Sequence, residues 1–269
     1  MNPFQATGLA LLGLVVGTLG TLIGAGGGFL LLPILIFLYP RDSPAVLTAT
    51  SLSVVFFNAS SGTAAYLRMR RVDLRAGIVF ALAGLPGSIL GVFVTQHLAR
   101  RQFNLLLGVL LVLAGLRILV APGRASRYQP NLAGSRQLVE RDGTIHVYSP
   151  RIWPGALAST VVGFISSMLG IGGGIIHVPL MVYLLGFPTH VATATSHFVL
   201  AVLSLAGVLV HLGDGSLRPA AARIVPLAAG VLIGAQVGAR ISSRVHGVWI
   251  MRSLAVALLM VGLRLWFAP

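Results

Sequence analysis

The chain has 269 residues, 56% of them hydrophobic and only 9% charged, with a mean hydropathy of +0.93. A soluble domain carries about 25% charged residues, so this chain is too apolar for disorder and too poor in charge to cover a water-facing surface. The net charge of +14 comes from arginines that punctuate long apolar runs and form no continuous face. That placement argues against nucleic acid as a partner and for anionic lipid headgroups. Cysteine is absent, which excludes disulfides and thiolate chemistry.

A membrane span needs roughly 20 mostly apolar residues. Eight long apolar segments meet the eye, at 5–39, 44–67, 76–96, 103–120, 152–186, 188–210, 219–239 and 248–268. The first lacks a basic n-region and outlasts a signal peptide, so it reads as a retained membrane segment. The first and fifth are too long for one straight helix, and each is interrupted by a glycine cluster. All five acids fall between segments. Arg117, Arg223, Arg252 and Arg264 lie within segments near their ends, where long side chains snorkel.

Residues 121–151 form the one sizeable polar stretch. Asp142-Gly143, between Leu138/Val139 and Ile145/Val147, predicts a small β-hairpin there. This stretch reads as a cytoplasmic linker between a first membrane repeat, 1–120, and a second, 152–269. The halves repeat in order. GTLGTLIGAGGGFLLLP at 17–33 matches GFISSMLGIGGGIIHVP at 163–179, including the whole GxGGG and a proline five residues after its last glycine. Thr48-Ala49-Thr50-Ser51 matches Thr193-Ala194-Thr195-Ser196, Leu74-Arg75 matches Leu217-Arg218, and Gly115-Leu116-Arg117 matches Gly262-Leu263-Arg264.

The fold expected is all-α: a polytopic helical membrane protein of two homologous halves with broken or re-entrant helices. Arg68, Arg70, Arg71 and Arg75, with the linker arginines, mark one side as cytoplasmic. The bias reverses in the second half, which favours an inverted repeat; a parallel arrangement stays open.

Three sets of residues could carry chemistry. The first is Gly24, Gly26, Gly27 and Gly28 with Gly170, Gly172, Gly173 and Gly174. Glycines in succession break a helix, and unpaired backbone at membrane depth is tolerated only where it is buried or lines a cavity. A restarting helix presents free N–H groups and a positive dipole end, which is an anion site. The bland reading is close helix packing. The second set is Thr48, Thr50 and Ser51 with Thr193, Thr195 and Ser196, followed two turns on by Asn58, Ser60 and Ser61. Hydroxyls can donate to anion oxygens, or simply back-bond to helix carbonyls. The third is His177 and His197, whose repeat partners are Leu31 and Leu52. Either could pair with an anion or carry a coupled proton, or could be a neutral bridge between helices.

No carboxylate lies within a span. This argues against a carboxylate-built metal or sodium site and against a cationic substrate; no metal or cofactor is expected. A Ser/His intramembrane hydrolase is the enzymatic alternative, but no orienting acid lies in a span, and the chain reads as a non-enzyme.

The two GxGGG–Pro segments, each followed by a TATS run, resemble the sulfite exporter TauE/SafE family of membrane permeases. The fullest match is GIGGGIIHVPLMVYLLGFPTHVATATSHF at 170–198, with GAGGGFLLLP and TATSLSVVF in the first half. The resemblance covers essentially the whole chain. It implies a multi-pass inner-membrane transporter of sulfur-containing anions such as sulfite or organosulfonates. The expectation is a secondary carrier with a small anionic substrate held between the glycine breaks. An anion channel is the alternative, and a homo-oligomer stays open.

Overall fold

The computed structural model describes residues 2–120, 135–242 and 248–266. Within them the first repeat forms α1 (Pro3–Ile23), α2 (Gly28–Leu38), α3 (Pro44–Arg68), α4 (Leu74–His97) and α5 (Arg100–Val120). A hairpin of β1 (Arg136–Val139) and β2 (Ile145–Tyr148) follows. The second repeat forms α6 (Ile152–Met168), α7 (Gly174–Tyr183), α8 (Thr189–Gly213), α9 (Leu217–Ile241) and α10 (Val248–Trp266). Each over-long apolar segment is thus two helices parted at its glycines. Residues 121–134 of the expected linker, His246 and the side chain of Arg252 lie outside the described residues.

Local chemistry sets the boundaries. Pro3 and Pro44 open α1 and α3 from the first turn, where the missing N–H costs nothing. The Ser43 hydroxyl caps α3, and the Asp73 carboxylate accepts from the Ala76 N–H at 3.0 Å to cap α4. Helices α1, α3, α4, α8 and α9 are each long and apolar enough to cross a membrane. With almost no sheet and these spans, the chain is a multi-pass helical membrane protein.

The two repeats are interlocked. Helix α1 packs along α9 of the other repeat, and α6 packs in the same way along α4. Both contacts are glycine columns: a methyl group added at Gly230 would lie 2.0 Å from the Ala10 carbonyl oxygen, and one at Gly87 2.0 Å from that of Thr160. Backbones approach this closely only where side chains are absent. The equivalent helices α3 and α8 run antiparallel, with Thr48 beside His211 at one end and Tyr66 beside His197 at the other. Helices α5 and α10 are also antiparallel, with Gly108 against Gly262 and Gly115 against Ala255 and Leu259. Two of the arginines within apolar segments reach across the repeats to aromatic rings: Arg117 lies 4.7 Å over the Tyr183 ring at the end of α7, and Arg264 lies 4.5 Å over the equivalent Phe37 at the end of α2.

The hairpin forms in the register that Asp142-Gly143 dictates, with Val139 opposite Ile145 and Gly143 at φ 89°. The Thr144 N–H bonds the Asp142 carboxyl and lowers its pKa. The hairpin docks on the α3–α4 loop. Its Arg141 N–H donates to the Met69 carbonyl at 3.0 Å. Tyr148 donates to Asp73 at 2.9 Å, and Arg136 pairs with the same carboxylate at 3.1 Å. Burial first, then the Asp73 charge, pushes the Tyr148 phenol well above its ordinary pKa. Beneath the turn, Glu140 binds both Arg71 and His146, and Arg71 and Glu140 are both buried. Removing one partner of a buried pair strands the other charge, at a cost of about 3–5 kcal/mol. Glu140→Ala is therefore expected to lower the melting temperature of the purified protein markedly, and more than Asp142→Ala at the exposed turn. Equal melting temperatures for the two variants would show that the docked pair contributes nothing.

Candidate functional site: two apposed helix breaks

Both glycine clusters leave the helix in the left-handed region, with Gly24, Gly26 and Gly27 at φ 86°, 72° and 81°, and Gly170, Gly172 and Gly173 at φ 66°, 79° and 71°. A side chain is strained in that conformation, so these six positions need glycine. Gly28 and Gly174 need it for a different reason, because they sit at the contact between the two breaks. A methyl group on Gly28 would lie 2.7 Å from the Ile171 carbonyl oxygen, and one on Gly174 2.5 Å from that of Gly24. The eight glycines therefore form one seam. Its depth is fixed by α3 and α8: methyl groups on Gly172 and Gly26 would each lie 2.6 Å from Val55 and Leu200 respectively, residues near the midpoints of those helices. Helices α2 and α7 run from this midpoint outward. At 11 and 10 residues they are each about 15 Å long, half the hydrocarbon thickness.

Breaking a helix releases acceptors from the first piece and donors from the second. Most of the acceptors at the breaks are capped, those of α6 more fully than those of α1, where Gly20 and Thr21 have partners. The Thr21 carbonyl accepts from the Tyr66 hydroxyl at 2.9 Å, the Met168 carbonyl from Thr95 at 2.6 Å, and the Gly170 carbonyl from Ser51 at 2.6 Å. The Gly20 carbonyl takes the N–H groups of Ala25 and Gly26, and that of Ser166 takes Ile171 N–H. The donors are treated differently. Neither α2 nor α7 has a side-chain N-cap. Among the described residues no backbone carbonyl accepts from the N–H of Gly27, Gly28, Gly172 or Gly173. In contrast, the Gly26 and Gly174 N–H groups are internally bonded. Two positive helix ends thus face each other with uncommitted donors, the arrangement that favours negative charge.

The remaining residues singled out in the sequence divide. Ser51 and Ser196 are both buried; Ser51 caps Gly170 at the seam, whereas the Ser196 hydroxyl has no partner. Thr50 back-bonds to the Val46 carbonyl at 2.7 Å, within its own helix. Thr195 accepts from the Asp73 N–H at 3.0 Å, which ties α8 to the α3–α4 loop. The two histidines are not brought together. His177 lies 2.9 Å from the Ser159 hydroxyl of α6 and edge-on to Phe80 of α4. His197 lies 3.3 Å from the Thr21 hydroxyl of α1, against Gly62 and Tyr66 of α3.

Sequence reasoning missed the cappers Tyr66 and Thr95, and it left His211 without a role. His211 is fully buried, 3.1 Å from the Thr48 hydroxyl and 3.3 Å from Asp214. The signal was available: Tyr66 and His211 occupy equivalent places in the duplication, each a polar ring in the last turns of an apolar helix.

Comparison with known proteins agrees with this architecture. A family model described as sulfite exporter TauE/SafE matches residues 9–265. The chain is similar to a Bacillus subtilis protein named "Probable membrane transporter protein YunE", with 31% identity covering 96% of each chain. A second B. subtilis protein, "Probable membrane transporter protein YjnA", is 27% identical over 89% of this chain and 93% of its own. "Probable membrane transporter protein MJ0441" of Methanocaldococcus jannaschii is 27% identical over 76% of this chain and 71% of its own. No solved structure gives a significant match. Matched almost from end to end by that model, and similar over nearly its whole length to membrane transporter proteins, the chain belongs to the sulfite exporter TauE/SafE family.

Proposed function

We propose that this protein is a secondary carrier that exports small sulfur-containing anions, such as sulfite or organosulfonates, across the cell's inner membrane. The observation that carries the proposal is the asymmetry of the seam: hydroxyls from neighbouring helices cap the Thr21, Met168 and Gly170 carbonyls, while no side chain caps the donors of the two helix N-termini. A ligand that only accepts hydrogen bonds fits that inventory, and an oxyanion is such a ligand. The acids of the chain stand at helix ends, loops and the hairpin, away from the seam, so neither a cation site nor a hydrolytic triad is supported.

The antiparallel course of the equivalent helices α3 and α8 supports inverted repeats related by an axis in the membrane plane. The hairpin end carries Arg68, Arg70, Arg71, Arg75, Arg136, Arg141 and Arg151 and is assigned to the cytoplasm. Polar links tie the helices together at both ends of the bundle, on either side of the seam. On the hairpin side Asp73 bonds Thr195; on the other, His211 bridges Thr48 and Asp214, which also accepts from Gln96 at 2.5 Å. Alternating access then consists of releasing one set of links at a time, and substrate must bind the two states differently or lower the barrier between them.

Two experiments test this reading. In proteoliposomes loaded with unlabelled sulfite, a carrier accumulates external labelled sulfite by counterflow; uptake without trans-stimulation indicates a channel, and no uptake refutes the substrate assignment. The chain contains no cysteine, so Arg70→Cys and Gly213→Cys give clean labels in equivalent loops. A membrane-impermeant maleimide is expected to reach the first only from the cytoplasmic side and the second only from the opposite side. Labelling of both from one side would establish parallel repeats.

A further inference from the structure

We infer that the substrate seats off the pseudo-symmetry axis, in the polar cluster of Thr21, Asn58 and His197 beside the first glycine break, with the unpartnered Ser196 next to His197 in α8 as a further donor, and that this site selects singly charged oxyanions. The inference rests on the carrier reading above. It begins from a difference between the repeats. Asn58 and His197 stand where the other half has Leu203 and Leu52. Ser196 corresponds to Ser51, which is committed to the Gly170 carbonyl, and Thr21 corresponds to Ser167, which is paired with Ser88 at 2.7 Å. At these four positions the second break is apolar or satisfied and the first is polar and incomplete; the polar group left incomplete at the second break, His177, stands on α7 and is held by Ser159 of α6.

The cluster is built rather than incidental. Thr21, Asn58, Ser196 and His197 are all buried from solvent. His197 Nε2 lies 3.3 Å from Thr21 Oγ1, and that hydroxyl donates to Asn58 Oδ1 at 3.2 Å. This relay ends on Asn58 Nδ2, which has no partner, and the Ser196 hydroxyl has none either. Turning the amide over only exchanges which of its two polar atoms is left unpaired. A buried polar group without a partner is unfavourable and calls for a compensating bond. The position is next to the seam: Thr21 is three residues before Gly24, and a methyl group on Gly24 would lie 2.7 Å from Thr193, one turn before His197. Gly62 makes the room, since a methyl group there would lie 2.6 Å from the imidazole.

The charge preference follows from what the cluster lacks. Helices α1 and α8 carry no Asp, Glu or Arg, and α3 carries only Arg68 at its last residue. Neutral donors and helix ends compensate one negative charge far better than two, because the cost of desolvating an ion grows with the square of its charge, about fourfold on doubling. The ligand class is therefore a small monovalent oxyanion, such as hydrogensulfite or an alkanesulfonate, in preference to a dianion such as sulfate.

The test uses the purified full-length protein, with methanesulfonate and sulfate as probes in calorimetric titrations. Methanesulfonate is expected to bind at least tenfold more tightly than sulfate. Asn58→Leu, which installs the residue of the other repeat, and Ser196→Ala are each expected to weaken methanesulfonate at least tenfold while eluting as monodisperse protein. Wild-type affinity in both variants, or sulfate binding as tightly as methanesulfonate, overturns the inference. Sulfite counterflow separates the levels. Absent counterflow in the wild type refutes the carrier reading, whereas normal counterflow in both the wild type and Asn58→Leu refutes only the off-axis cluster.

Discussion

Backbone hydrogen bonding deep in a bilayer is the constraint on which this structure rests. An interrupted helix exposes carbonyls on one side and N–H groups on the other, and hydrocarbon satisfies neither. Here the carbonyl side is met by hydroxyls reaching in from neighbouring helices, Tyr66 from α3, Thr95 from α4 and Ser51 from α3. The N–H side receives no side-chain cap at α2 or α7. In the proposed reading an anion held at the seam needs no cationic side chain there, because the uncapped half of each break is the half that donates.

The interlocking of the repeats serves the same end. The first repeat serves both breaks: Tyr66 caps Thr21 within it, Ser51 and Thr95 cap Gly170 and Met168 of the second repeat, and Gly28 and Gly174 each sit on a carbonyl of the opposite break. The glycine columns of α1 with α9 and of α4 with α6 bring the repeats to backbone contact. Any motion that opens the seam must therefore act on shared elements, and the polar links at each end, Asp73 with Thr195 and Thr48 with His211, are where small displacements would be felt first.

Much of this was legible in the sequence because it is local. Consecutive glycines in segments too long for one span announce a break wherever they occur, and Asp142-Gly143 between alternating apolar residues fixes a hairpin within four residues on either side. The duplication was also legible, since GxGGG, TATS and the terminal Gly-Leu-Arg recur in order. What was hidden depends on partners far apart in the chain. The glycines of α9 show small-residue spacing, but nothing local says that they meet α1. For Ser51 and Thr50 the sequence left ligand binding and back-bonding open, and only packing shows that one caps a carbonyl 119 residues away and the other bonds its own helix. Which helices His177 and His197 face was hidden for the same reason: each is turned toward a different set, a fact set by tertiary packing and not by their common burial. His211 falls just past the apolar segment that ends at residue 210, yet its helix continues to Gly213 and its ring is enclosed.

The central claim is that unwound chain at the midpoint of the bundle grips the anion. Selenite, a heavier analogue of sulfite, permits a direct measurement, because selenium can be located by its anomalous scattering in crystals of the protein grown with it. The account predicts a single selenium peak beside the first break, within hydrogen-bonding reach of the Gly27–Gly28 amides. A peak found only among the arginines at the bundle ends, with the glycine seam empty, would contradict it.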